Sequence, residues 1–81
     1  MNILFFGKLG ERIGREISID PPPTGFTVRE LRGLLASLYP DSAADLTSPS
    51  LRACVDDAIV AEDFDVGAGR KVEFFPPLSG G

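Results

Sequence analysis

Histidine is absent from the 81 residues, tryptophan is absent too, and cysteine occurs once, as Cys54. Without histidine the usual neutral-pH proton shuttle is missing. With only one cysteine besides, the common zinc ligand sets are excluded. A lone cysteine forms no internal disulfide, which fits a reducing cytosol. No apolar run approaches the roughly 20 residues that span a bilayer. The opening MNILFFGKLG lacks the basic n-region and cleavage site of a signal peptide, so a cytoplasmic location without membrane contact is expected. Cations are also scarce: 8 Lys and Arg stand against 12 Asp and Glu, a formal net charge of −4. The basic residues form no run, which argues against nucleic acid as a partner. The glycines of GKLGERIG are spaced for neither a P-loop nor a dinucleotide fingerprint. The acid pairs Asp56-Asp57 and Glu62-Asp63 read as solvated turn formers rather than as acid/base pairs. Self-contained catalysis is not expected.

What remains is a chain of 43% hydrophobic and 25% charged residues, in the ordinary globular range. Its length leaves room for one hydrophobic core. Asn2–Leu9 (NILFFGKL) is apolar and predicts a strand, Gly10 and Gly14 bracket a turn, and Arg15–Ile19 alternates as a second strand of a hairpin. Pro21–Gly25 breaks the ladder as a loop. Thr27-Val28-Arg29-Glu30 matches a capping box. Val28, Leu31, Leu34, Leu35 and Leu38 then predict one apolar helix face over Val28–Tyr39, stopped by Pro40. One turn of helix is expected around Ala43–Leu46. Leu51–Asp56, Ala58–Val60 and Arg70–Phe75 read as strands, with turns at Asp56-Asp57 and Val66–Gly69. One helix covers one face of a small sheet, which predicts a two-layer α+β domain. The order matches a β-grasp, or ubiquitin-like, roll, and the parallel central pairing of first and last strands is taken from that fold by analogy. Residues 1–75 form the domain and residues 76–81 an extended tail.

The tail is the unusual part. Pro76 and Pro77 donate no N–H and fix φ, so strand pairing ends at Phe75 and an extended segment begins. From Pro76 to Gly81 the reach is roughly 18 Å at about 3.1 Å per residue. Leu78 and Ser79 lead to Gly80 and Gly81, whose backbone passes through a slot too narrow for other residues. The group delivered is a carboxylate, ionised and unreactive toward nucleophiles at neutral pH, so acyl chemistry requires its activation.

Four segments together, ILFFGKLGERIG, TVRELR, ACVDDAIV and VEFFPPLSGG, resemble the small subunits of molybdopterin synthase, which are ubiquitin-like sulfur carriers. Two prolines, a hydrophobic residue, a small hydroxylic residue and Gly-Gly form the specific part of the resemblance. The chain departs from it at Val55-Asp56, where relatives commonly have Val-Asn, and at Ala68-Gly69-Arg70, where they commonly have Asp-Gly-Asp. The resemblance implies that an E1-like adenylating enzyme uses ATP to activate Gly81, and that a sulfur donor protein then leaves Gly81 as a thiocarboxylate. It implies no bound cofactor and a large synthase subunit as partner, in a heterotetramer of two small and two large subunits. The catalytic side chains would lie on that large subunit, and Pro76, Pro77, Leu78 and Ser79 would position the reactive end. Two rival readings stand beside it. One is a sulfur carrier of another pathway, such as thiamine or cysteine synthesis, or a modifier joined to lysines. The other is a non-covalent β-grasp interaction module with an inert tail.

Alternation along a strand places Ile3 with Phe5, and Val72 with Phe74, on the helix side, because the opposite choice buries Glu73. Phe6 and Phe75 are then expected on the other face, close together at the base of the tail, with Ile59 extending the patch. Apolar patches rimmed by charge mark docking surfaces, and these three residues are the candidate partner-binding set. Cys54 reads as packing rather than as a sulfur relay.

Overall fold

The computed structural model describes residues 1–20, 25–67 and 70–76. Strand β1 (Asn2–Phe5) buries every second residue, Ile3 and Phe5. It does not run on to Leu9. Phe6 N–H still donates to the Phe74 carbonyl at 3.0 Å, but at Gly7 the backbone turns with φ 69° and a short helix α1 (Lys8–Arg12) begins. The turn expected between Gly10 and Gly14 is therefore largely helical. Leu9 and Ile13 explain it: four residues apart, they share one side of a helix. Leu9 is buried there, and Ile13 packs against the core. Strand β2 (Glu16–Ser18) then pairs antiparallel with β1, with Ile17 opposite Ile3, so the hairpin exists with a longer connection. Pro21–Thr24 of the expected proline loop lie outside the described residues.

Helix α2 (Val28–Leu38) starts where the capping box predicts. Glu30 N–H donates to Thr27 Oγ1 at 3.2 Å, and Thr27 N–H donates back to Glu30 Oε1 at 2.9 Å. Pro40 ends it through a 3-10 turn (Pro40–Ser42) that leads into α3 (Ala43–Leu46), the single turn anticipated there. The buried stripe of α2 is Val28, Leu31, Arg32 and Leu35. Leu38 is exposed and Leu34 only half-buried, a correction to the predicted apolar face.

The stripe follows the i, i+3, i+4, i+7 rule more faithfully than the leucines do, and it takes in an arginine. Arg32 Nη1 donates to the carbonyls of Leu46 (3.0 Å) and Ser48 (3.2 Å), and Nη2 donates to that of Leu51. Nε lies 3.0 Å from Glu62 Oε1, a charge contact without hydrogen-bond alignment. The guanidinium also sits 5.4 Å from the centroid of the Phe74 ring. A buried charge is tolerated when it is paired and most of its donors are met, and here the Nη bonds tie the α3–β3 segment to α2.

Strands β3 (Arg52–Val55), β4 (Ala58–Val60) and β5 (Lys71–Phe75) complete a sheet of order β2-β1-β5-β3-β4. Among the described residues only β1 and β5 pair in parallel, at the centre, and the other neighbours are antiparallel. Ile3, Phe5, Val72, Phe74, Ala53 and Val55 share the face that packs with α2 in one core, and Phe5 and Phe74 stack with centroids 5.9 Å apart. This is the two-layer β-grasp arrangement. The β3–β4 turn is two residues long, with φ 51° at Asp56 and 69° at Asp57, the type I′ geometry of tight hairpins. Asp tolerates that region next best after Gly and Asn, so the departure at Asp56 leaves the turn intact. The second departure falls partly on Ala68 and Gly69, outside the described residues.

Candidate functional site

Strand β5 sets the site. Val72 and Phe74 are fully buried on the helix face, so Phe75 faces the other way, half-buried. In a parallel ladder the bond from Phe6 N–H to the Phe74 carbonyl places Phe6 opposite Phe75. Phe6 is 45% exposed. The two aromatics sit where the chain leaves the sheet for Pro76. Arg52 pairs with Phe75 from the other side.

Ile59 is 66% exposed on the same face, in the middle of β4 as the strand reading of Ala58–Val60 expects. Its cross-strand partner is Cys54, which pairs in turn with Glu73, and Glu73 with Leu4. The register therefore brings Phe6 and Phe75 together, and leaves Ile59 two strands away from Phe75 and joined to it through Cys54. Glu73, half-buried between them, has its Oε1 3.9 Å from Lys71 Nζ. Burial, with the carboxylates of Glu73 and Asp57 nearby, pushes the Cys54 thiol above its usual range. It stays protonated at neutral pH, and a protonated thiol is a poor nucleophile. Packing is the role its surroundings support.

Gly7 is the residue that sequence reasoning passed over. Its φ of 69° with ψ of −145° belongs to glycine alone, and it faces Pro76 across the end of the central pair. The available signal was a glycine at the end of an apolar strand. A shallow groove opens beside Phe6, between Gly7, Lys8, Glu11 and Arg15. Pro77, Leu78, Ser79, Gly80 and Gly81 lie outside the described residues, so their assigned roles rest on the sequence. Among the described residues no group of three or more His, Cys, Asp or Glu could hold a metal ion, and no helix is long and apolar enough to cross a membrane.

Compared with known proteins, residues 3–81 match the ThiS family. The molybdopterin synthase sulfur carrier subunit of Escherichia coli (strain K12) is 33% identical over 84 residues, an alignment covering 100% of this chain and 99% of the relative. SAMP1 from Haloferax volcanii superposes with a TM-score of 0.81 at 22% identity, covering 99% of this chain and 97% of that one. The Pyrococcus furiosus protein described as molybdopterin converting factor, subunit 1, gives 0.78 at 21% identity, covering 95% of each chain. At those identities the two structures speak to the fold alone.

Proposed function

This chain belongs to the ThiS family, and from that premise we propose that it is the sulfur carrier subunit of a molybdopterin synthase. One observation carries the reading. The central strand β5 ends at Phe75 and hands the chain to Pro-Pro-Leu-Ser-Gly-Gly, on a domain that matches a sulfur carrier subunit along its whole length.

The chemistry follows from the carboxylate. Ionised, it resists nucleophiles, so an E1-like enzyme must first convert it: a Gly81 oxygen attacks the α-phosphorus of ATP, and pyrophosphate leaves. Hydrosulfide delivered by a donor protein then attacks the acyl carbon, AMP leaves, and Gly81 carries a thiocarboxylate. The tail enters the large subunit of the synthase, where sulfur passes to a pyranopterin precursor of the dithiolene. The catalytic side chains belong to that subunit, and this chain is the sulfur-bearing co-substrate, two copies pairing with two large subunits in the cytoplasm. Gly80 gives the tail a narrow end, while Pro76, Pro77, Leu78 and Ser79 position it, roles that rest on the sequence. Phe6, Phe75 and Ile59 form the docking face. A carrier for another pathway shares the activation and the thiocarboxylate but not the pterin acceptor, and a neighbouring large-subunit gene separates the two. An inert-tail interaction module does not share it.

Intact-mass measurement after incubation with ATP, an activating enzyme and a sulfide source tests the proposal. The expected result is a gain equal to one oxygen replaced by sulfur, mapped to Gly81 and lost when one residue is appended after it. No gain with an enzyme that charges a known carrier overturns it.

A further inference from the structure

We propose that Gly7 is a positioning residue for the tail: its missing side chain is the notch in which the Pro76 ring sits, and that seat sets the direction in which the reactive end leaves the sheet. The inference rests on the carrier reading.

A Cβ added at Gly7 would lie 3.0 Å from Pro76 Cγ and 3.3 Å from Cδ. Both contacts are tighter than side chains normally make, so one partner has to move. Gly7 has little freedom. The preceding Phe6 N–H is bonded to the Phe74 carbonyl at 3.0 Å, and the Gly7 carbonyl accepts from Gly10 N–H at 3.1 Å as α1 begins. Leu9, two residues on, is locked in the core. On the other side Phe74 is fully buried and fixes β5, while Pro76 is exposed. A side chain at Gly7 is strained by the φ of 69° and also presses on the exposed proline, so the tail's heading at Pro76 shifts with it.

Displacement at this point matters because Pro76 is the residue through which the sheet hands the chain to Gly81, five positions on in the sequence. A misplacement of about 1 Å at a reacting group can cost up to about 100-fold in rate. The docking face is spared, since Phe75 is held by its ladder to Arg52. The notch thus separates two jobs: the sheet face determines how well a partner is bound, and the Gly7–Pro76 seat determines where the carboxylate arrives.

Two measurements test this. In the full-length protein, NMR should show nuclear Overhauser contacts between the Gly7 α protons and the Pro76 ring protons. Their absence, with both sets of signals assigned, overturns the proposal without involving any variant. In steady-state adenylation, Gly7→Ala should lower kcat by about tenfold while KM changes less than twofold. The double variant Gly7→Ala/Pro76→Ala should fall no lower than the worse of the two single variants, because removing the ring removes the clash. Independent effects that multiply, an unchanged kcat for Gly7→Ala, or a loss confined to KM would each overturn it. Should Gly7→Ala fail to fold, as judged by circular dichroism, the NMR contacts decide alone. If the unaltered chain is not adenylated at all, the carrier reading fails and takes this inference with it. If it is adenylated and Gly7→Ala matches it, only this inference fails.

Discussion

Phe74 and Phe75 are neighbours in sequence with opposite surroundings, and truncating each to alanine separates folding from docking. Phe74 is fully buried, stacked on Phe5 at 5.9 Å and covered by the Arg32 guanidinium at 5.4 Å. Phe→Ala in a core costs about 3–5 kcal/mol. Losing the ring pair and the cation contact as well places Phe74→Ala in the upper part of that range, about 4 kcal/mol. For a domain of this size about 1 kcal/mol corresponds to roughly 4–8 °C in Tm, so the midpoint should fall by about 15–30 °C. Phe75 is half-buried on the opposite face, with no helix over it. Its truncation should cost less than about 1 kcal/mol of stability, as at a surface position. A hot-spot aromatic is worth about 2 kcal/mol or more of binding, roughly a 30-fold loss of affinity. Thermal unfolding by circular dichroism gives the first quantity, and calorimetric titration with the large synthase subunit and the activating enzyme gives the second. The reasoning is refuted if Phe75→Ala loses the stability and Phe74→Ala, still folded, loses only the affinity.

Three further outcomes are expected. Arg32→Leu removes the donors to three carbonyls and strands Glu62, and should destabilise by about 3 kcal/mol; Arg32→Lys, without the planar fork, should recover less than half of that in urea titrations. Asp57→Gly relieves a positive φ of 69° in the type I′ turn and should stabilise by about 0.5 kcal/mol, read as a higher urea midpoint with an unchanged slope. The raised Cys54 thiol means that the folded chain holds this proton more tightly than the unfolded one does, so stability is unaffected at neutral pH and declines as pH rises through the elevated value. Native alkylation by iodoacetamide near pH 8 should be much slower than in urea, and equal rates would contradict the burial argument.

Much of the fold was legible because local signals agreed with one another. The capping box at Thr27 and the stop at Pro40 bracket α2 within a residue, and both of its reciprocal bonds form. The faces of β1 and β5 were readable because Glu73 could not share a side with a buried partner. Other features were hidden for physical reasons. Helix α1 carries Gly10 inside it, and a glycine that speaks for a turn outweighed the four-residue spacing of Leu9 and Ile13. Arg32 was passed over in favour of Leu38 because composition ranks leucine above arginine for burial, whereas the carbonyls of Leu46, Ser48 and Leu51 reverse the order. The meeting of Gly7 with Pro76 joins opposite ends of the sequence, and no local pattern encodes it.

The position of β5 also bears on how the domain comes into being. β1 with β2, and β3 with β4, are hairpins between near neighbours in sequence, and each can form early from local contacts. They become one sheet only when the last strand inserts between β1 and β3, closing a loop of almost the whole chain. Until then each hairpin shows an open edge and half a core, the features of an aggregation-prone intermediate. Folding therefore waits for the segment that leads into the tail. A chain cut before β5 lacks the strand that joins the two hairpins, so the strand that leads into the tail is also the one that makes the sheet whole.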